Sequence, residues 1–554
     1  MRLQSIILPI LFLAAAALAL AGCEHATRAE AHKTVPVSGP HFTDITQAAG
    51  IDYRWVIPGP RPLNILQTIG NGCAFLDYNN DGNLDILLVG TNHVALYQGD
   101  GHGHFTDVSH QTGLDRLKGH FLGCAVGDYD NDGFDDIYLS AYRGGALLHN
   151  EGGKGFRDVT QQAGIKPQPW TTSATFVDVD NDGLLDLFIG NYAIFGPNTQ
   201  PQLCRQNGLE TACGPRFYQP EKAVLYHNEG HGRFLDVTDR WKAIGHGKDL
   251  GVSCADFNGS GRQSIALAND EVPGDLLQNQ GHVFVNRGAE SGTAYDANGL
   301  IHGGMGVDWG DYDNDGRPDL VVATFQNEPK NVYHNEGGGF FNDRSAMLGV
   351  AAKTQPYVAF GVKWVDVDND GWLDLILANG HVQDNIHAID KSATYLQPIQ
   401  LLLSRQGTAF EDVGAAADPA FSTPILGRGL AIGDIDNDGR MDALVVNSEG
   451  APLLLHNETP NTGHWLLCRL EGVKSNRDGL GAQVNAEASG RKWLRLCHTD
   501  GSYMSASDKR VHFGLGAATQ VTLTVHWPSG AVDVYPDQPA DRVVTLREGA
   551  GKKK

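Results

Sequence analysis

One short pattern recurs along this chain and constrains its fold more than any other feature. It reads "DYNNDGNLD" at Asp77, "DYDNDGFDD" at Asp128 and "DVDNDGLLD" at Asp178. It continues as "DFNGSGRQS" at Asp256, "DYDNDGRPD" at Asp311, "DVDNDGWLD" at Asp366 and "DIDNDGRMD" at Asp434. The spacings are 51, 50, 78, 55, 55 and 68 residues. A period near fifty residues means stacked, similar units. The two long intervals read as a unit plus an insertion. One insertion contains Cys204 and Cys213, and the other contains "GHVQDNIHAIDKSATYLQPIQ".

The flanks repeat as well. A small-residue strand such as "GCAVG" precedes each loop, and an apolar strand such as "DILLVG" follows it. A second pair then recurs, as in "LLHNEGGKGFRDVT". Each unit therefore holds about four short antiparallel strands, which predicts a seven-bladed β-propeller. The helical period of 3.6 residues is absent. The seventh unit ends at "LLLHN" without an outer strand, whereas "FTDIT" at Phe42 to Thr46 matches the outer strand "FRDVT" at Phe156. The N-terminal copy is expected to complete the last blade and remove an exposed edge.

Alternating carboxylates on a tight turn place several hard oxygens around one point, which suits Ca²⁺. The loop is not an EF-hand. Position 12 holds Leu88, Leu139, Ile189, Val322, Leu377 or Val445, none of which can ligate, and strands flank it instead of helices. Position 9 is the expected fourth side-chain ligand. About six sites follow: Asp77, Asn79, Asp81 and Asp85; Asp128, Asp130, Asp132 and Asp136; Asp178, Asp180, Asp182 and Asp186; Asp311, Asp313, Asp315 and Asp319; Asp366, Asp368, Asp370 and Asp374; Asp434, Asp436, Asp438 and Asp442. The Asp256 loop keeps one carboxylate, with Ser260 and Ser264 in place of others. It is expected to bind weakly or not at all. Turn chemistry alone explains the Asp-Gly pair but not a carboxylate at position 9. The net charge of −23 argues against a nucleic-acid partner. Six Ca²⁺ would bring it to −11.

The first 22 residues carry one charge, Arg2, and a 15-residue apolar run, Ile6 to Leu20. That is a signal-peptide core, too short for a comfortable span. "LAGC" resembles a bacterial lipobox, so Cys23 is the expected lipidation site and residues 23–40 a tether. The protein is then exported and membrane-anchored through lipid alone. Export permits a disulfide, and Cys204 and Cys213 are the best pair. Cys468 and Cys497 are a second candidate pair. Cys73, Cys124 and Cys254 read as buried thiols.

Residues 41–460 form the expected propeller, 461–549 a small C-terminal β-domain, and 550–554 a basic tail. The Asp loops resemble FG-GAP/VCBS calcium-loop repeats. "HWLLCRLEGVKSNRDGLGAQV", "GSYMSASDKRVHFGLG" and "VHWPSG" resemble the ASPIC/UnbV domain. Together they resemble cartilage-acidic-protein-like proteins, which implies calcium in the six intact loops. Asn476, Arg477, Asp508 and Arg510 read as turn and salt-bridge residues rather than as a polar site.

No catalytic constellation is legible. His149, His227, His334 and His456 recur in "HN" at one point of the repeat, which reads as structural repetition. Departures from repetition mark function better: the Cys204–Cys213 insertion, Gly380 to His387, and Ala268 to Asp275. The expected role is protein or glycan binding, with an enzyme of glycan or secondary-metabolite processing as the alternative. A convergent pocket gathering two or more carboxylates, or a His with a perturbed pKa, would speak for catalysis, and a flat apolar or aromatic patch for binding.

Overall fold

The computed structural model describes residues 39–460 and 462–553. The leader, Cys23 and the tether up to residue 38 lie outside the described residues. Residues from Gly39 onward form one compact unit. Among the described residues, no helix is long and apolar enough to cross a membrane.

The architecture is almost entirely β. Six antiparallel four-strand units follow in sequence, beginning with Cys73–Leu76, Asp85–Gly90, His93–Gly99 and Phe105–Asp107. The second and third units join into one larger sheet where Trp170 pairs with Tyr142. The seventh unit, Gly427–Gly433, Asp442–Asn447 and Leu453–Asn457, takes its fourth strand from the other end of the chain. Phe42, Thr43 and Asp44 pair with Asn457, His456 and Leu455. The outer-strand motif explains the match. In the second unit Asp158 accepts the Thr160 N–H, and the Thr160 hydroxyl accepts the Leu147 N–H at 2.9 Å. Asp44, Thr46 and Leu454 repeat these bonds at 3.0 and 2.7 Å.

Near-continuous apolar strands such as Asp85–Gly90 are buried on both faces, and each neighbouring pair of units shares an apolar core. The first and seventh units share one too, built on Phe75, Ile86, Ala431 and Leu444.

The C-terminal domain has a three-stranded and a five-stranded sheet. Its last strand, Lys552–Lys553, pairs with Val532–Pro539, so part of the expected basic tail belongs to the sheet. Cys468 and Cys497 are buried free thiols, not a disulfide. Burial raises both thiols, with Asp478 adding at Cys497, and keeps them protonated.

This domain does not merely sit on the repeats. Its segment 500–508 lies among the first strands of all seven units. Ala506 N–H donates to Cys73 O, Cys124 N–H to Met504 O, and Met504 N–H to Ser173 Oγ. Gly501 N–H donates to Val252 O, and Val307 N–H to Ser502 O. Lys363 Nζ donates to Asp500 O at 3.0 Å, and Asp508 N–H to Ile432 O. Small residues permit the approach: a Cβ on Gly72 would lie 1.7 Å from Met504 O.

Candidate functional site

Each Asp loop is a turn built by its own carboxylates. Asp128 accepts the N–H groups of Asp132 and Gly133 at 3.0 and 2.7 Å. Position 9 is buried at the base. Asp136 accepts Tyr129 N–H at 3.2 Å and Asn150 N–H at 2.8 Å, tying loop to third strand. The same two bonds recur at Asp85, Asp186, Asp319 and Asp442, and at Asp374 with Ser404.

The donor set fits a divalent cation. Asp128, Asp130 and Asp132 bring carboxylate oxygens within 4.8 Å of one another. Asp180, Asp313, Asp366 and Asp436 each bury an Oδ1 with no hydrogen-bond partner. Burial first, and crowding by loop carboxylates second, push Asp85 to about 8 and Asp178 to about 7. Asp366 and Asp374 are held well above the usual carboxylate range for the same reasons. These oxygens could hold a hard cation that neutralises them. The Asp256 loop forms the same turn, accepting Ser260 and Gly261 N–H, with Ser264 Oγ taking the position-9 bond from Asn279 N–H. The turn therefore does not by itself require a cation.

Two kinds of residue at the loops escape the sequence reading. The first is the "HN" histidine. His149 Nδ1 lies 3.3 Å from Asp136 and 3.4 Å from Asp130. His227 Nδ1 lies 2.9 Å from Asp186, His334 Nδ1 3.2 Å from Asp319, and His456 Nε2 3.2 Å from Asp436. The hydrogen bond to Asp436, more than opposing burial, raises His456 to about 9. These histidines belong to the loop clusters. Their recurrence as "HN" near the end of the third strand in four units was the available signal.

The second is the Asn at position 4. It sits in the left-handed region, as at Asn131 with φ 60°, and donates to the position-6 glycine carbonyl of the next loop. The bonds are Asn80 to Gly133, Asn131 to Gly183, Asn181 to Gly261, Asn314 to Gly371, Asn369 to Gly439 and Asn437 to Gly82. The one gap is at Gly259, which has no side chain.

Asn476 and Asp508 act as the sequence suggests, in turns and ion pairs. Asn476 caps Leu480 N–H, and Arg510 bonds Asp508 while reaching Asn437 and the Asp434 carbonyl. Arg477 N–H donates to Asn131, so this domain braces the loops.

The three irregular segments meet elsewhere. Cys204 and Cys213 are joined by a disulfide, which closes the hairpin Cys204–Gln206 and Leu209–Thr211. Thr211 Oγ1 lies 3.1 Å from Asn385 Oδ1, and Asn385 Nδ2 donates to Glu210 O at 2.6 Å. Asn207 Nδ2 donates to Ile389 O. Under this junction lies a cavity of about 480 Å³. Asp270 and Glu271 from the third segment line it, with Glu328, Asp390, Phe360 and Ile69. Tyr503 of the C-terminal domain packs edge-on against Phe360 at 4.9 Å. The insertion also exposes Ile194, Leu209 and Phe217.

Comparison with known proteins agrees with this architecture. Residues 77–139, 128–189 and 311–377 match the FG-GAP-like repeat, and residues 472–553 match the ASPIC and UnbV domain. Cartilage acidic protein 1 of Xenopus tropicalis is 24% identical over 530 residues, covering 89% of this chain and 74% of that one. The Homo sapiens protein of the same name is 24% identical over 527 residues, covering 89% and 72%. A solved Agrocybe aegerita lectin that recognises non-reducing terminal N-acetylglucosamine is a distant likeness: 16% identity, TM-score 0.39, 71% of this chain and 94% of that one. The chain thus carries FG-GAP-like repeats followed by an ASPIC/UnbV domain and is homologous to cartilage acidic protein 1-like sequences.

Proposed function

We propose that the protein is an exported, lipid-anchored interaction module: a closed seven-bladed propeller stabilised by about six Ca²⁺, binding a protein or glycan through its insertions. The observation that carries this reading is convergence. Three segments that break the repeat, far apart in sequence, meet over one cavity of about 480 Å³. Pockets of that size suit a ligand or an inserted partner group. The exposed Phe217 and Leu209 beside it, 46% and 41% accessible, suit a contact surface. The shared core of the first and seventh units and the Asn437 to Gly82 bond support ring closure. Calcium would supply structural cross-linking of the loop carboxylates.

A second reading, catalysis on a glycan or metabolite, draws on the carboxylates in the cavity. Burial raises Asp270 to about 7, the range of a general acid or base. Against it, burial and Arg428 hold His381 near 3, so it is uncharged and a weak base at neutral pH.

The test compares the mature chain with a Leu209→Asp, Phe217→Asp variant on glycan arrays and in capture from extracytoplasmic extract. A partner retained by the parent and lost by the variant is expected. Identical binding profiles would overturn the reading. Turnover of a captured glycan, abolished in Asp270→Asn, would favour the enzyme.

A further inference from the structure

The chemistry of that cavity says more about its ligand. Four carboxylates line it: Asp270, Glu271, Glu328 and Asp390. Two arginines also border it, but both belong to the exposed insertion. Arg205 lies 3.6 Å from Glu210, and Arg216 stacks 5.4 Å from the Phe217 ring. His381, also in the lining, is 1% exposed and neutral. The inner lining is therefore negative.

All four carboxylates are held in place: Glu271 Oε2 accepts the Arg216 backbone N–H at 3.3 Å and Asp390 Oδ1 the Ser392 N–H at 2.9 Å. Asp270 Oδ2 accepts the Tyr192 hydroxyl at 2.5 Å. Glu328 Oε2 accepts the N–H groups of Gly303 and Phe325, both at 3.0 Å. Glu271 has φ 54°, a left-handed backbone that costs energy for a residue with a long side chain. Burial first, then Glu271 and Glu328, raise Asp270 against the opposing Tyr192 hydrogen bond and Lys248, and His302 Nδ1 lies 3.7 Å from Glu328 Oε1.

At the inner wall, Phe360 does not suit sugar stacking. Arg428 covers one face of Phe360 at 3.9 Å, and Tyr503 packs against the same ring. Ile65 and Ile69 offer aliphatic wall instead. A carboxylate cluster beside aliphatic wall complements a cation on an alkyl stem.

Building on the interaction-module reading, we propose that this cavity binds an alkylammonium or alkylguanidinium group, its head among Asp270, Glu271 and Glu328 and its stem along Ile65 and Ile69. Two sources share that chemistry: a Lys or Arg side chain of a partner protein, and a free polyamine.

Isothermal titration of the mature chain in calcium tests this with four probes: a Gly-Lys-Gly peptide blocked at both ends, spermidine, the matching norleucine peptide, and chitobiose. The lysine peptide or spermidine is expected to bind at least about tenfold more tightly than the norleucine peptide, and to weaken with added NaCl. Glu271→Gln and Asp270→Asn, each checked by thermal melt, are expected to lower that affinity about tenfold. Tighter binding of the lysine peptide assigns the site to a partner side chain, and tighter binding of spermidine to a polyamine. Equal binding of the norleucine peptide, chitobiose binding indifferent to both variants, or no binding by either cation would overturn the proposal. A partner lost in the Leu209→Asp, Phe217→Asp variant would, in those cases, leave the interaction module standing. If that variant also changes nothing, both readings fail.

Discussion

Asp500 accepts the hydroxyl of Ser253 at 2.9 Å across 247 residues of chain. The same carboxylate accepts the Thr175 hydroxyl at 2.7 Å and the Cys254 N–H at 3.1 Å. A residue of the C-terminal domain thus serves as an internal strut of the repeat units. Asp500→Ala should leave these buried donors unpaired and cost about 3 kcal/mol. Urea unfolding followed by tryptophan fluorescence and by circular dichroism should show one shared transition for repeats and domain. Two separated transitions in the parent protein would contradict the strut.

Chelation provides the second prediction. Excess chelator should lower the melting temperature, and saturating a single site at 1,000 times its Kd accounts for about 4 kcal/mol. An unchanged melt would rule out calcium-dependent stability.

The metal-free protein should also depend on pH in a definite direction. Asp85, Asp178 and Asp311 are raised to about 8, 7 and 8 in the fold, chiefly by burial. The folded state then binds more protons than the unfolded chain between pH 4 and 8, so stability falls as pH rises through that window. Raised histidines such as His456 act with the same sign. Melts of chelated protein should fall steadily from pH 5 to pH 8, and calcium should flatten the trend.

Position 9 can be dissected using the chain's own exception. Ser264 makes the Asn279 bond that an Asp makes elsewhere. Asp136→Ser should therefore remove one calcium site yet cost less stability than Asp136→Ala, by about 1 kcal/mol. The difference is measured in chelator, where cation binding no longer contributes.

The disulfide holds the cavity's roof rather than the repeat sheets. Cys204→Ser with Cys213→Ser should leave the main melting transition within a few degrees, because the two hairpin strands pair with each other and join no repeat sheet. Amide exchange of residues 204–213 and of 385–389 should rise together, since Asn385 and Glu210 are bonded. Exchange confined to the hairpin would show that the two insertions are independent.

Much of the fold is legible in the chain because its code is local. Asp-x-Asp-x-Asp-Gly, the following apolar strand and the Phe-x-Asp-x-Thr edge are each set by turn chemistry and strand alternation within a few residues. The match of Phe42–Thr46 to the internal outer strands identified the partner of Leu453–Asn457 for the same reason. What lay beyond sequence depends on pairings across hundreds of residues. No local signal places Met504 against Cys124, Asn437 against Gly82, or Asn385 against Glu210. The first of those contacts exists because the first strands of the seven units lie close to segment 500–508, where small residues such as Gly72 leave it room. The sequence by itself determined the repeated unit and its cation-type loops. Only the tertiary structure decided that the C-terminal domain threads the units together and that three irregular segments enclose one acidic cavity, because both arise where side chains distant along the chain are packed out of water.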